Sequence, residues 1–323
     1  GTPEIVDRLL GHLPGSLGHS DWVDFGHNRS ETIRWAKGAG DWLLLLDADM
    51  TVQADPNLRE ALASFTGDAA LVAVDGGIRY RMPYLVRGDL PWYYVGPVHE
   101  YLCCDHPYST EWFDALGIVH HGDGGFRFDK TQRDLKFLYA QLLDDPSNAR
   151  AHFYLGQTLR DAGDLEAAIE HYVRRVELGG WEEECFYALY QVGLLQDSLG
   201  KQEGAETLLK AWEMRPTRAE PLYHRARIDR IAGRHNLAWI FSSLASGIGF
   251  PEEDLLFVEP WIYEWGVAFE RCDAAWRIGH GELAMELSEV LLARDDLPDE
   301  HREHLLLLRR DLQKAGLRTS EAS

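Results

Sequence analysis

The residues best suited to chemistry lie where an apolar run meets two carboxylates: Trp42-Leu43-Leu44-Leu45-Leu46-Asp47-Ala48-Asp49. A short, continuously apolar run reads as a strand buried on both faces, in a parallel or mixed sheet covered by helices. Open α/β sheets bind ligands at the carboxyl ends of their strands. Two acidic side chains one residue apart at such an end suit a hard divalent cation held jointly with substrate phosphates. The competing reading is a strand that ends in a solvated acidic turn, because Asp-x-Asp is a short pattern.

Upstream, Asn28-Arg29 precedes a helical stretch over residues 31–36, and Gly38-Ala39-Gly40-Asp41 leads into the strand. Arg29 offers a planar fork for phosphate, and Asn28 suits a base edge or a ribose hydroxyl. An N-capping Asn beside a surface Arg is the alternative. The order of these elements resembles the family 2 glycosyltransferases of the GT-A fold over residues 20–52, and less closely to about residue 135. The resemblance implies a metal-dependent, inverting glycosyltransferase that takes its sugar from a nucleotide diphosphate sugar such as a UDP- or GDP-sugar. It implies Mg2+ or Mn2+ on Asp49 and Asp47, with Asn28, Arg29 and Asp47 facing the donor. The cation would neutralise the leaving diphosphate.

By the same resemblance, Glu100 is the carboxylate that takes the acceptor's proton, near the start of a helix, with Asp105 as the fallback. Trp92, Tyr94 and His99 fall on the acceptor side. His120, with His121 as the alternative, supplies a late metal ligand, and Lys130 and Arg133 close over the diphosphate. Each has a plainer reading: a helix-start Glu, core aromatics, hydrogen-bonded structural histidines, solvated cations. Arg79, Arg81 and Arg87 could meet an anionic acceptor or simply face water. The opening Gly1-Thr2-Pro3-Glu4-Ile5-Val6 looks like the helix after the family's nucleotide loop, so the first strand or two is expected to be missing.

The chain has 323 residues and a formal net charge of −21, with 45% apolar residues. That length allows two domains with proper cores. The acidity argues against nucleic acid or an anionic membrane as the main partner. No apolar run approaches the ~18 residues of a membrane span. Four cysteines do not make a disulfide framework. A reducing, cytoplasmic setting is the simplest fit, with Cys185 and Cys272 as small core residues.

Strand candidates occur at residues 71–74, 78–82 and 117–120, separated by glycine-rich turns. From about residue 131 the pattern is helical only, and it repeats. Gly163, Gly200, Gly233 and Gly279 recur at steps of 37, 33 and 46 residues, each followed five positions later by Ala. The tetratricopeptide repeat has a period of about 34. The Gly ends a first helix and the Ala lets a second pack closely. The expected architecture is therefore α/β plus all-α. By the resemblance, a GT-A domain is expected over residues 1–130, followed by a linker helix over 131–147, tetratricopeptide-like repeats over 148–293, and a capping helix and tail over 294–323. An insertion over residues 249–254 is expected to bulge between the third and fourth units. Glycosyltransferase domains followed by such repeats form a known bacterial combination, which Glu220-Pro221-Leu222-Tyr223 and Asp254-Leu255-Leu256-Phe257-Val258-Glu259 resemble in the helical part. The repeats would bind an acceptor protein or a second subunit as a homodimer. Two other readings stand: a non-catalytic tetratricopeptide-like scaffold with a degenerate GT-A domain, and a nucleotidyltransferase using similar carboxylate–metal chemistry.

Overall fold

A computed structural model describes residues 1–75, 80–121 and 128–316. The chain divides into two compact units, with the break between residues 141 and 142.

The first unit begins with α1 (Thr2–Leu10), which buries no side chain, and α2 (Phe25–Ala36). Its strands are β1 (Trp42–Leu44), β2 (Met50–Ala54), β3 (Ala69–Asp75), β4 (Tyr80–Arg87), β5 (Trp92–Val95), β6 (Tyr101–Cys104) and β7 (Thr110–His120), with α3 (Leu58–Ser64) between β2 and β3. Five strands form a mixed sheet in the order β1-β4-β3-β7-β2, and β5 and β6 form a separate hairpin. β3 runs parallel to β7, while β1–β4 and β2–β7 are antiparallel. Ala70, Val72, Val74 and Ile118 of the central strands are sealed from water, as the inner strands of a covered sheet must be.

β1 departs from expectation. It is a three-residue edge strand, not an inner one, and its exposure alternates: Leu43 is buried, whereas Leu44 and Leu46 are about two-fifths exposed. A continuous apolar run predicts burial on two faces. At the sheet edge it has one covered face, and period-two alternation follows. Residues 71–74 and 117–120 fall inside the longer β3 and β7. Of the stretch 78–82, Ile78 and Arg79 lie outside the described residues, and β4 begins at Tyr80.

α2 starts six residues before the expected stretch. Asp24 caps it by accepting from the His27 amide at 2.7 Å. Asn28 and Arg29 are therefore its fourth and fifth residues, where the first turn passes into the second. α2 lies close on β5: a Cβ on Gly26 would come within 2.4 Å of the Gly96 carbonyl oxygen. The Ser30 hydroxyl donates to Gly26 O and accepts from the Tyr94 amide. These contacts fix Arg29 above the hairpin.

The helix α4 (Phe128–Asp144) contains the division between the units. Beyond it come four helical hairpins. They are α5 (Ala149–Ala162) with α6 (Leu165–Leu178), α7 (Glu182–Ser198) with α8 (Gly204–Met214), α9 (Glu220–Ile231) with α10 (His235–Ala245), and α11 (Val267–Arg277) with α12 (Gly281–Leu292). α13 (Asp299–Lys314) follows as a cap. This second unit is a tetratricopeptide-like helical array. Gly163, Gly200, Gly233 and Gly279 all end a first helix with φ between 70° and 91°, a conformation that glycine enters without the Cβ penalty. Ala168, Ala238 and Ala284 are fully buried where the second helices pack. In the second hairpin the close contact moves to Gly204. A Cβ there would come within 2.7 Å of the Asp197 amide and 2.8 Å of the Gly193 carbonyl, and Ala205 is only half-buried.

The insertion lies between the third and fourth hairpins, with Gly249, Glu252 and Glu253 exposed. Residues 254–259 fold back along α7 and α9. Glu183 accepts from the Leu255 and Leu256 amides at 2.8 Å, and Glu259 accepts from the Tyr190 hydroxyl at 2.7 Å. Arg218, fully buried, holds Glu220 with two nitrogens, Asp254 at 3.0 Å and the carbonyls of Leu256 and Phe257. Buried charge is tolerated when it is paired and its hydrogen bonds are filled. The strap offers Arg218 both. A π-helical turn (Ile262–Gly266) then leads into α11.

Candidate functional site

Six of the expected site residues meet in two small sets. In the first, Arg29 makes an ion pair with Asp47 and reaches Glu100 at 2.9 Å. Its guanidinium also lies 5.2 Å from the centre of the Tyr94 ring, within cation–π range. α2 supplies the Arg, the segment after β1 the Asp, and the β5–β6 hairpin both Tyr94 and Glu100. In the second set, His120 Nε2 lies 3.2 Å from Asp49 Oδ2. The register of β2 on β7 sets this pair by placing Met50 opposite His120. His121 turns aside to Thr51 Oγ1 at 2.9 Å.

Burial dominates the electrostatics of the first set. It pushes the Glu100 carboxyl above its usual range, against the pull of a backbone hydrogen bond and of Arg29. It pushes the Tyr94 phenol up to about 12. It also works against the charge on Arg29, yet Asp47, Tyr94 and Glu100 together outweigh it and raise that group. A carboxylate with a raised pKa is a stronger base than an exposed one, the direction general-base catalysis needs.

Several expected residues stand elsewhere. Glu100 lies in a β-hairpin connection, not at the start of a helix of its own. The polar atoms of Asn28 are spent on the preceding loop: Oδ1 accepts from the Val23 amide, and Nδ2 donates to Ser20 Oγ and Asp21 O. That arrangement orders residues 20–23 and leaves the amide no free face for a ligand. Trp92 is buried, its indole N–H given to Arg87 O at 2.9 Å and its ring set against Tyr108, so it cannot stack on a sugar. Tyr94 is committed beneath Arg29. His99 has a left-handed φ of 49°, uncommon outside glycine, in the hairpin connection beside Glu100. Lys130 is exposed on α4, and Arg133 pairs with Asp134 and covers Phe25. Asp105 is exposed. Arg81 pairs with Asp114 and Arg87 with Asp89, which accounts for both without an acceptor.

The donor set for a cation is partial. Asp49 and His120 stand side by side and fit a divalent ion as two ligands, but Asp47 is turned to Arg29. Among the described residues no three His, Cys, Asp or Glu side chains converge. Mg2+ commonly makes do with one or two protein carboxylates when substrate phosphates supply other oxygens.

The second unit holds a further feature that no sequence motif marks. A cleft of about 810 Å³ is lined by Tyr223, His224 and Arg227 of α9, Trp261 and Trp265 at the π-helical turn, and Phe269 of α11. α13 adds His301 and His304. The repeat pattern locates the helices, but not that residues from three of them share one opening.

No protein-family model matches this chain. A TPR repeat-containing protein of Synechococcus elongatus is 28% identical over 225 residues, covering 64% of this chain and 55% of that protein. The chain thus spans about half the length of that curated relative. Among solved structures, a tetratricopeptide repeat protein from Parabacteroides merdae is similar at 16% identity and a TM-score of 0.44, covering 58% of this chain and 71% of that one. MamA is similar at 19% identity and a TM-score of 0.38, covering 59% and 99%. Within the described residues no helix is long and apolar enough to cross a membrane.

Proposed function

We propose that this chain is a tetratricopeptide-like scaffold whose helical unit binds a segment of a partner protein. The cleft between α9, the π-helical turn, α11 and α13 carries this reading. It is large enough for several side chains, and its aromatic walls offer apolar contact at low conformational cost. Peptide selection against the whole chain tests it. Recovery of no binding sequence would defeat it.

A second reading is favoured by the meeting of Arg29, Asp47 and Glu100 beside Asp49 and His120. On this reading the first unit is a nucleotide-sugar-dependent glycosyltransferase domain, joined to the scaffold. Asp49 and His120 would hold Mg2+ or Mn2+, with Asp47 joining if Arg29 releases it. Such an ion, when bound, supplies charge neutralisation to a leaving diphosphate. Arg29 would orient phosphate oxygens, and Glu100, held within a buried pocket, would accept the acceptor's proton. Titration calorimetry with UDP or GDP and Mn2+ tests it: binding that exceeds that of an Asp49→Ala variant is expected. Equal heats from the two proteins would remove the reading and leave the scaffold.

A further inference from the structure

The cleft in the helical unit has an electrostatic asymmetry that narrows its ligand. Arg230 and His304, which also line it, are matched internally. Arg230 grips Glu270 with two nitrogens at 2.7 and 3.0 Å, and His304 Nε2 lies 2.7 Å from Asp273. Arg277 approaches the second Asp273 oxygen at 3.9 Å. Glu300 is exposed at the rim, 3.5 Å from His301. Arg227 differs: it is exposed and makes no ion pair with any described residue. Beside it, His224 Nε2 is sealed from solvent without a hydrogen-bond partner. Burial and then Arg227 hold this imidazole down to about 3, so it stays neutral at physiological pH.

The walls around this cation are aromatic. Tyr223 meets Trp261 at 5.1 Å, Trp261 meets Trp265 at 5.0 Å, and His301 sits edge-on to both Trp265 and Phe269. An exposed guanidinium without an ion pair, which acts on buried Glu270 only through space, can take a carboxylate attached to an apolar neighbour at the lip of an apolar slot. The chain as a whole carries a net charge of −21. Screening over about 8 Å at physiological salt lets the local charge, not the global one, decide what docks.

We infer that this cleft binds an acidic peptide segment of a partner protein, an Asp or Glu on Arg227 with a bulky apolar residue beside it among Trp261, Trp265 and Phe269. The inference rests on the scaffold reading and names its ligand class. A carboxylate on an exposed guanidinium gains a bidentate, charge-assisted contact, and the apolar neighbour gains buried area.

The test is a random twelve-residue peptide library displayed on phage and selected on the full chain. A synthetic copy of the dominant sequence is then titrated by fluorescence polarisation. Selected peptides should carry Asp or Glu next to Leu, Phe or Trp. Arg227→Glu, a surface change that leaves the aromatic walls intact, should weaken the synthetic peptide at least ten-fold. Arg227→Lys should retain most of the binding, and added NaCl should weaken it in the wild type. Peptides without acidic enrichment, or an affinity unmoved by Arg227→Glu, would overturn the inference and leave the scaffold reading standing. Selection of no peptide would overturn both.

Discussion

Replacing Arg218 with Met should unfold much of what the strap holds together. Arg218 and Glu220 are fully buried, and Asp254 nearly so. Without the guanidinium, Asp254 keeps Arg215, which binds it through two nitrogens at 2.7 and 2.8 Å. Glu220 keeps only neutral donors, the Tyr263 hydroxyl at 2.6 Å and the Glu259 amide at 3.4 Å. The variant therefore strands one buried carboxylate, a defect worth about 3–5 kcal/mol. The carbonyls of Leu256 and Phe257 lose a donor as well, roughly 1 kcal/mol each where no water replaces it. A loss of about 4 kcal/mol or more is expected, a large share of a typical domain's 5–15 kcal/mol. Urea denaturation of Arg218→Met, Glu220→Gln and the double variant would measure it. The double variant should be more stable than Arg218→Met by about 2 kcal/mol, since it removes the stranded charge. A single-variant loss below about 1 kcal/mol, or no recovery in the double, would refute the claim that this pair anchors the strap.

Three other outcomes follow from the geometry. Gly204→Ala should cost about 1–3 kcal/mol, because its Cβ would run into backbone atoms of α7, whereas Gly249→Ala meets nothing within 4 Å and should be close to neutral; thermal unfolding of the two compares them directly. His224 takes a proton near 6.5 when unfolded but only near 3 when folded, so its share of stability is lost as pH falls below 6.5, by about 2 kcal/mol at pH 5. His224→Gln should flatten the stability–pH curve between 7 and 5 by that amount, and an unchanged slope would refute the assignment. Arg29→Met removes the cation that opposes the rise of the Glu100 carboxyl; a folded-state acid held up in this way destabilises when ionised, so the variant should lose more stability at pH 7 than at pH 4, with carboxyl-carbon NMR showing Glu100 titrating higher than in the wild type.

What the sequence disclosed was mostly local. The four repeat glycines announce their left-handed turns because only the residue itself and its neighbours set φ. Ala168, Ala238 and Ala284 fit because each sits a fixed distance from such a turn. The second hairpin broke the rule through a longer turn after Gly200, which moved the close approach from Ala205 to Gly204. β1 misled for the opposite reason. Apolar residues at 42–46 say that the segment is apolar, while its place at the sheet edge depends on β4, some forty positions away. Asn28 looked like a ligand because its type suits one, but Asp24 had already taken the cap and Asn28 ties the loop before it. Trp261 and Arg227 had no shared signal, since nothing in a one-dimensional pattern aligns α9 with the segment before α11.

The two candidate sites differ in how much rearrangement a ligand would demand. In the first unit the charges satisfy one another: Arg29 bridges Asp47 and Glu100, and His120 faces Asp49. A diphosphate arriving there must compete with Asp47 for Arg29, and a cation must compete with Arg29 for Asp47. On the glycosyltransferase reading the two ligands therefore help each other. Phosphate drawn to Arg29 frees Asp47 for the ion, and the ion holding Asp47 frees Arg29 for phosphate. Linkage makes this reciprocal, so Mn2+ should tighten UDP or GDP by the same factor as the nucleotide tightens Mn2+. Arg29→Met should abolish the mutual gain while leaving Mn2+ affinity alone undiminished. Independent binding of the two in the wild type would show that the Arg29–Asp47 pair is only structural. The Arg227 cleft needs no such exchange, because its cation is already unpaired, and its binding should show no dependence on a metal.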